Sequence, residues 1–431
     1  MSLSERDRCL IWHPFTQEKL TPPPMPIKQA KGCYLIDEQD NEYLDLVSSW
    51  WVNIHGHAQP QIAQAIYKQC LTLEHVIFAR FTHEPAVKLC ENLRKLLPDQ
   101  LCRFFFSDNG STSVEVSLKM AYQYWKNLGK EKNLFLSFIG GYHGDTVGCM
   151  SVGQQSHFHD PFKGLCFEVR FVPYADTWEG DTAVVEKEVE AIKIMNEHLA
   201  KCGDQIAALI IEPLLQGAAG MRMCRPQFIA AIVQLARKHQ ILVIFDEVAA
   251  GFGRTGTNFA HEQVGVVPDF LCLSKGITGG FLPLAVTVTT EKVYAAFLGE
   301  SHDKTFLHGH SYTANPVGCA AAIASLELLS SQRTQQSIRD IGDVHQEQIF
   351  DLQREFGCIE HARTLGTIAA FELELDNLQL FADICRSKGI IIRPLGKTVY
   401  MMPPYCITRD ELKRAYNILR TCIQESLSRN E

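Results

Sequence analysis

Short unbroken apolar runs punctuate most of this chain: Phe104-Phe-Phe106, Leu134-Phe-Leu136, Ala207-Ala-Leu-Ile-Ile211, Leu242-Val-Ile-Phe245 and Phe270-Leu-Cys-Leu273. Each has a polar residue within two positions of either end. Runs this short, without alternation, are the pattern of strands buried on both faces. Between them lie stretches with helical spacing, such as Val114 to Trp125. Strands alternating with helices predict a mostly parallel sheet between two helical layers, an α/β architecture. Upstream, Cys33-Tyr-Leu-Ile36 and Tyr43-Leu-Asp-Leu-Val47 flank the polar turn Asp37-Glu-Gln-Asp-Asn41 and predict a hairpin. The segment before the proline cluster at Pro22–Pro26 is expected to be irregular.

Downstream, a helix is predicted from Pro316 through Ser330. Strands follow at Ile368–Leu373, Ile390–Arg393 and Val399–Met402, and a closing helix at Arg409–Ser428. The organisation predicted is an N-terminal segment, residues 1–60, contributing to a small domain and to the active site. A large α/β domain at 61–325 and a smaller α+β domain at 326–431 complete it.

Composition narrows the picture by exclusion. The chain has 431 residues, 46% hydrophobic and 21% charged, with a formal net charge of −8. That gives no basic field for nucleic acid or an anionic membrane surface. The start, Met-Ser-Leu-Ser-Glu-Arg-Asp-Arg, lacks the apolar stretch of a secretory signal, and no run approaches a membrane span. The 15 cysteines include no Cys-x-x-Cys pair and read as reduced thiols of a cytoplasmic protein. The pairs His55/His57, His157/His159 and His308/His310 lack the cysteine or carboxylate company of a zinc set, so no metal is expected.

Ligands of an open parallel sheet gather at the carboxyl ends of its strands, and four such ends carry unusual residues. In Phe106-Ser-Asp-Asn-Gly-Ser111 the chain turns into a helix, where Gly110 and Ser111 offer backbone amides and a hydroxyl to an anion; a simple capped helix is the alternative. In Gly140-Gly-Tyr-His-Gly-Asp145, glycines allow close approach of a ligand and Tyr142 has a face to stack on a flat ring. Asp246-Glu247 ends an apolar strand, and a carboxylate there needs a partner, either a protonated ring nitrogen or a metal. Lys275, between Ser274 and Gly276 with apolar runs on both sides, is placed to be desolvated, which makes its amine nucleophilic towards carbonyls.

These motifs, with Gly251-Phe-Gly-Arg-Thr-Gly256 and His308-Gly-His-Ser-Tyr-Thr-Ala-Asn-Pro316, resemble the class III aminotransferases of the type I pyridoxal-phosphate transferase fold over essentially the whole chain. Trp12-His-Pro-Phe-Thr-Gln17, Ser48-Ser-Trp-Trp-Val-Asn53 and Arg393 resemble the members of that class that act in biotin synthesis. The resemblance implies that Lys275 carries pyridoxal phosphate as a Schiff base and moves the substrate proton, that Asp246 keeps the pyridine nitrogen protonated, and that Tyr142 stacks on the ring. It implies phosphate binding by Gly110 and Ser111, with Ser311 supplied across a homodimer interface. It further implies a substrate pocket of Phe15, Trp50, Trp51, Asp145, Arg254, Gly309 and Arg393, the last for a carboxylate. The implied reaction aminates 8-amino-7-oxononanoate to 7,8-diaminononanoate, with S-adenosylmethionine as donor and the paired tryptophans near its sulfonium.

Phe15 stands where many such members carry tyrosine, which leaves lysine open as the donor. Ala218 follows Gln216-Gly217 where ω-aminotransferases carry a glutamate that masks the carboxylate-binding arginine. That argues against the broader ω-amino acid or amine aminotransferases. An aminomutase on the same fold is the further alternative.

Overall fold

The computed structural model describes residues 1–153 and 158–430. Its core is a seven-stranded sheet in the order Leu101–Ser107, Ala285–Thr290, Phe270–Leu273, Leu242–Asp246, Ile206–Ile211, Leu134–Phe138, Val169–Val172. All pairings are parallel except those of Ala285–Thr290, which runs against both neighbours. Four consecutive strands, from Leu134–Phe138 to Phe270–Leu273 across the sheet, are buried at every position. That is why their sequences read as unbroken apolar runs.

The two faces still alternate. Leu209, Ile211, Val243 and Phe245 pack with Phe228, Ile229 and Ile232 of the helix Pro226–Lys238. Ala208, Ile210, Leu242 and Ile244 pack with Val114, Leu118 and Ala121 of the helix Gly110–Asn127. On that second face the Trp125 indole donates to the carbonyl of Ala207 at 2.8 Å, so the ring is buried without an unmet donor.

The smaller sheets are built from both ends of the chain. The predicted hairpin forms between Tyr34–Asp37 and Glu42–Asp45. Its turn is tied by the Asp37 carboxylate, which accepts from the amides of Gln39 and Asn41, the Asn41 side chain and the Tyr43 hydroxyl. Ile27–Lys31 flanks the hairpin on one side and Ile390–Ile391 on the other, the latter parallel to Glu42–Asp45. A second sheet joins Ile359–Leu365, Ile368–Leu373 and Thr398–Met401. The helices Gln332–Glu355, Leu378–Ser387 and Arg409–Asn430 accompany these small sheets.

Two expectations need correction. The opening segment is not wholly irregular: Leu3–Leu10 is helical, started by a Ser2/Glu5 capping box that the Ser-x-x-Glu spacing announces. The strand expected over Ile390–Arg393 stops after two residues, because Pro394 follows the arginine and the ladder has no further partner. The helix Pro316–Leu329 packs on Pro60–Cys70 and Glu84–Arg94. No helix among the described residues is long and apolar enough to cross a membrane.

Candidate active site

Five strands deliver their carboxyl ends to one cavity of about 590 Å³, lined among others by Gly110, Tyr142, Glu212, Asp246 and Lys275. A second lobe of about 350 Å³ shares Trp51, Val52, Tyr142, Asp145 and Lys275 with it and adds Phe15, Trp50, Phe158, Ala218, Arg393 and Leu395. Lys275 and Tyr142 therefore sit at the junction, with Asp246 in the first lobe alone and Arg393 in the second alone.

The first lobe has an anion seat. The helix Gly110–Asn127 starts at its wall, capped by Asn109, whose side chain accepts from the Thr112 amide at 3.0 Å. The amides of Gly110 and Ser111, as first-turn positions, have no intrahelical acceptor. Missing side chains let the segments around this seat pack closely. A Cβ on Gly110 would come 2.5 Å from Cγ1 of Val248. One on Gly144, whose φ of +118° already disfavours other residues, would overlap the Ser111 side chain. Ser111 Oγ lies 2.8 Å from Thr146 Oγ1 and accepts from the Thr146 amide at 3.1 Å, which fixes its hydroxyl at the seat.

Asp246 is the last residue of its strand and 4% exposed. One oxygen lies 2.7 Å from Nδ1 of the buried His143; the other accepts from the Val248 amide at 3.0 Å. Two partners hold a negative charge where solvent is scarce. Glu212, also buried, follows the strand Ile206–Ile211 and accepts from the amides of Tyr142 and Gly217 at 3.0 and 3.1 Å. Burial pushes its carboxyl up to about 7, against the pull of His143.

Lys275 opens a single helical turn with φ at +49°, a left-handed backbone costing an ordinary residue ~1–2 kcal/mol. Burial lowers its amine to about 8; Asp246 and Glu212 oppose that shift and Arg254 adds to it. The reactive neutral amine should accordingly grow about tenfold per pH unit up to roughly pH 8 and then level. In the cofactor-stripped chain, the rate of reductive trapping of an uncharged aldehyde at Lys275 is expected to follow that curve. A rate still climbing towards pH ~10 would show an ordinary lysine.

The second lobe is aromatic and cationic. Trp51 is buried with φ at +68°, its indole donating to the Tyr400 hydroxyl at 2.9 Å, and its ring face lies 4.5 Å from Lys275 Nζ. Trp50 is 43% exposed, and the Arg393 guanidinium stacks 4.6 Å from its centroid. Both tryptophan faces thus already meet cations of the chain itself. Phe15 packs edge-on to Trp50 and Phe158. Arg393 forms no ion pair among the described residues, and the nearby Ala218 brings no carboxylate side chain. Asp145 accepts from the Tyr142 hydroxyl at 3.0 Å and reaches His159 at 3.3 Å; the His159 ring stacks on that of Tyr142.

Three residues expected at the site lie outside both lobes of this chain. Arg254 is fully buried and donates to the carbonyls of Trp51, Met402 and Pro403, which makes it a clamp between segments. Its hydrogen bonds go to these backbone acceptors, and its side chain lines neither lobe. Gly309 and Ser311 are exposed on the chain's own surface. Conversely, sequence reasoning passed over His143, Glu212 and Thr146. Glu212 carried the same signal as Asp246, a carboxylate directly after a wholly apolar strand; His143 and Thr146 flank residues already singled out. Among the described residues, no three histidine, cysteine, aspartate or glutamate side chains are grouped to hold a metal. His57 pairs with Asp45 and His55 with Ser325, while His157 lies outside the described residues.

An anion seat, a paired buried carboxylate and a desolvated amine around one cavity fit pyridoxal phosphate, which asks for all three. Gly110 and Ser111 would hold its phosphate, Asp246 its ring nitrogen and Lys275 its carbonyl carbon. The family model described as aminotransferase class-III matches residues 15–423. The chain belongs to the class III aminotransferases, a family of pyridoxal-phosphate enzymes. It is 48% identical to the adenosylmethionine-8-amino-7-oxononanoate aminotransferase of Synechococcus elongatus, over 96% of this chain and 98% of that one. It is 41% identical to the enzyme of the same name from Geobacter sulfurreducens, over 95% of each. The solved structure of the adenosylmethionine-8-amino-7-oxononanoate aminotransferase from Methanocaldococcus jannaschii superposes with a TM-score of 0.91 at 33% identity, covering 98% and 99% of the two chains. An amine transaminase from an uncultivated Pseudomonas species, solved with pyridoxal phosphate bound, gives 0.90 at 29% identity, covering 97% and 99%.

Proposed function

We propose that this aminotransferase serves biotin synthesis, transferring an amino group from S-adenosylmethionine to the keto carbon of 8-amino-7-oxononanoate. The observation that carries the reading is Arg393, stacked on Trp50 in the substrate lobe, without an ion pair among the described residues and with Ala218 close by. Donor and acceptor both bear a carboxylate, so one fixed guanidinium serves both half-reactions. Full-length relatives with that activity in their names support the same reading.

When bound, pyridoxal phosphate supplies an electron sink for the amino-bearing carbon and carries the nitrogen between the halves. The chain does the rest. Lys275 Nζ, at the junction of the lobes, takes the proton from the substrate carbon and returns it. Asp246, held by His143, keeps negative charge beside the sink. Phe15, Trp50 and Phe158 wall the outer lobe and limit water around the transfer.

The active form is a homodimer in this reading, with Gly309 and Ser311 of one copy completing the other copy's site. Their exposure on a loop with Leu307 and Tyr312, 83% and 62% exposed, supports it. Incubating the purified protein with 8-amino-7-oxononanoate and S-adenosylmethionine, lysine or alanine in turn, and assaying diaminononanoate, tests the function. Product with S-adenosylmethionine is expected; no product with any donor overturns the reading. Arg393→Ala is expected to raise KM for both carboxylate substrates about 10- to 100-fold, with kcat within a few-fold, since a charged hydrogen bond is worth ~1.5–3 kcal/mol. Steady-state kinetics on each substrate read the split.

A further inference from the structure

Away from the cavity, two cysteines from opposite ends of the chain meet. Cys33 follows the strand Ile27–Lys31 and is 3% exposed; Cys406, 373 residues later, is at the surface. Their sulfurs are 3.2 Å apart. Gly56, with φ at +90°, makes the meeting possible, because a Cβ there would overlap Cys406 Sγ.

Both cysteines sit in a frame that is already laced together. Gly32 and His57 exchange backbone hydrogen bonds at 3.1 and 2.7 Å, and the Asp45 amide donates to the Cys33 carbonyl at 2.8 Å. Met402 and Tyr405 donate to the carbonyls of Leu46 and Ile54 at 2.7 and 2.8 Å. A disulfide needs its sulfurs at ~2.05 Å, so an approach of about 1 Å closes the gap without unfolding anything. The hydrogen bond between the two thiols holds that of Cys406 below its usual value and raises that of Cys33, which makes the sulfur of the exposed residue the readier nucleophile. By contrast, Cys385 and Cys422 also interact but are both buried, out of reach of an oxidant in solution.

We propose that Cys33 and Cys406 form an oxidisable dithiol site, whose reagent is a small-molecule disulfide and whose product is an intramolecular bridge between the two ends of the small domain. The Cys406 thiolate attacks one sulfur of the reagent and expels the first thiolate. Cys33 then loses its proton to solvent and attacks Cys406 Sγ, expelling the second. Two protein thiols are oxidised and one small disulfide is reduced to two thiols, so electrons and protons balance. The bridge closes nearly the whole chain into one loop, the case in which a cross-link restricts the unfolded ensemble most.

The test is to incubate the full-length holoenzyme with excess oxidised glutathione and map its peptides without reduction. The expected result is a Cys33–Cys406 linked peptide lighter by two hydrogens, with a thermal midpoint raised by several degrees and restored by dithiothreitol. In Cys33→Ser, glutathione should remain attached to Cys406; in Cys406→Ser, Cys33 should stay unmodified. Neither variant should show the thermal shift. A wild-type chain that keeps glutathione on Cys406 while Cys33 stays free would overturn the proposal. Bridges formed between other cysteines with Cys33 and Cys406 unlinked would do the same.

Discussion

Lys275→Ala is expected to lower turnover by at least ~10⁴-fold, since it removes both the nucleophilic amine and the group that shuttles the proton. The chain should still fold. The native amine is desolvated, as its lowered value near 8 records, so deleting it relieves a burial cost while losing some packing. What alanine does not relieve is the backbone: position 275 remains at a φ of +49°. Lys275→Gly, free of that strain, should be as inactive as Lys275→Ala yet more stable by about 1 kcal/mol. Thermal or urea unfolding of the two variants reads the difference, and reduction with borohydride should fix cofactor to the Lys275 peptide in the native protein only. Substantial turnover in either variant would remove the central role given to this amine.

The second large effect is expected from Asp246→Asn, which keeps the shape and removes the charge. A preorganised charge in a water-poor site contributes ~2.7–4 kcal/mol, so kcat should fall on the order of 10²- to 10³-fold. Because Asp246 lines the inner lobe and not the outer one, KM for both substrates should change little. Cofactor affinity should weaken as well, measured by titrating the stripped protein with pyridoxal phosphate. This signature is the reverse of that expected for Arg393→Ala, and the pair together tests whether the two lobes divide cofactor from substrate. A raised KM with intact kcat in Asp246→Asn would show that the division is wrong.

The chemistry was legible where it was local. In a parallel sheet, a strand's carboxyl end is the ligand end, so Lys275 and Asp246 declared themselves by following apolar runs. Gly110 and Ser111 did so by opening a helix after such a run. Arg254 shows where local reading stops. Its motif is distinctive, but the carbonyls of Trp51, Met402 and Pro403 that occupy it lie about 150 to 200 residues away in sequence, and nothing near position 254 foretells them.

By itself, then, the sequence determined the strand and helix periods, the hairpin, the ends at which chemistry gathers and the lysine placed at one of them. Those properties follow from burial and turn preferences acting over a few residues. Only the tertiary structure decided that His143 steadies Asp246, that Arg393 lies on Trp50, and that Ile390–Ile391 completes a sheet begun at residue 27. It alone brought Cys33 to Cys406. Each of these joins segments far apart along the chain, and such pairings are selected by how whole elements pack, which no local pattern of hydrophobic and polar positions encodes.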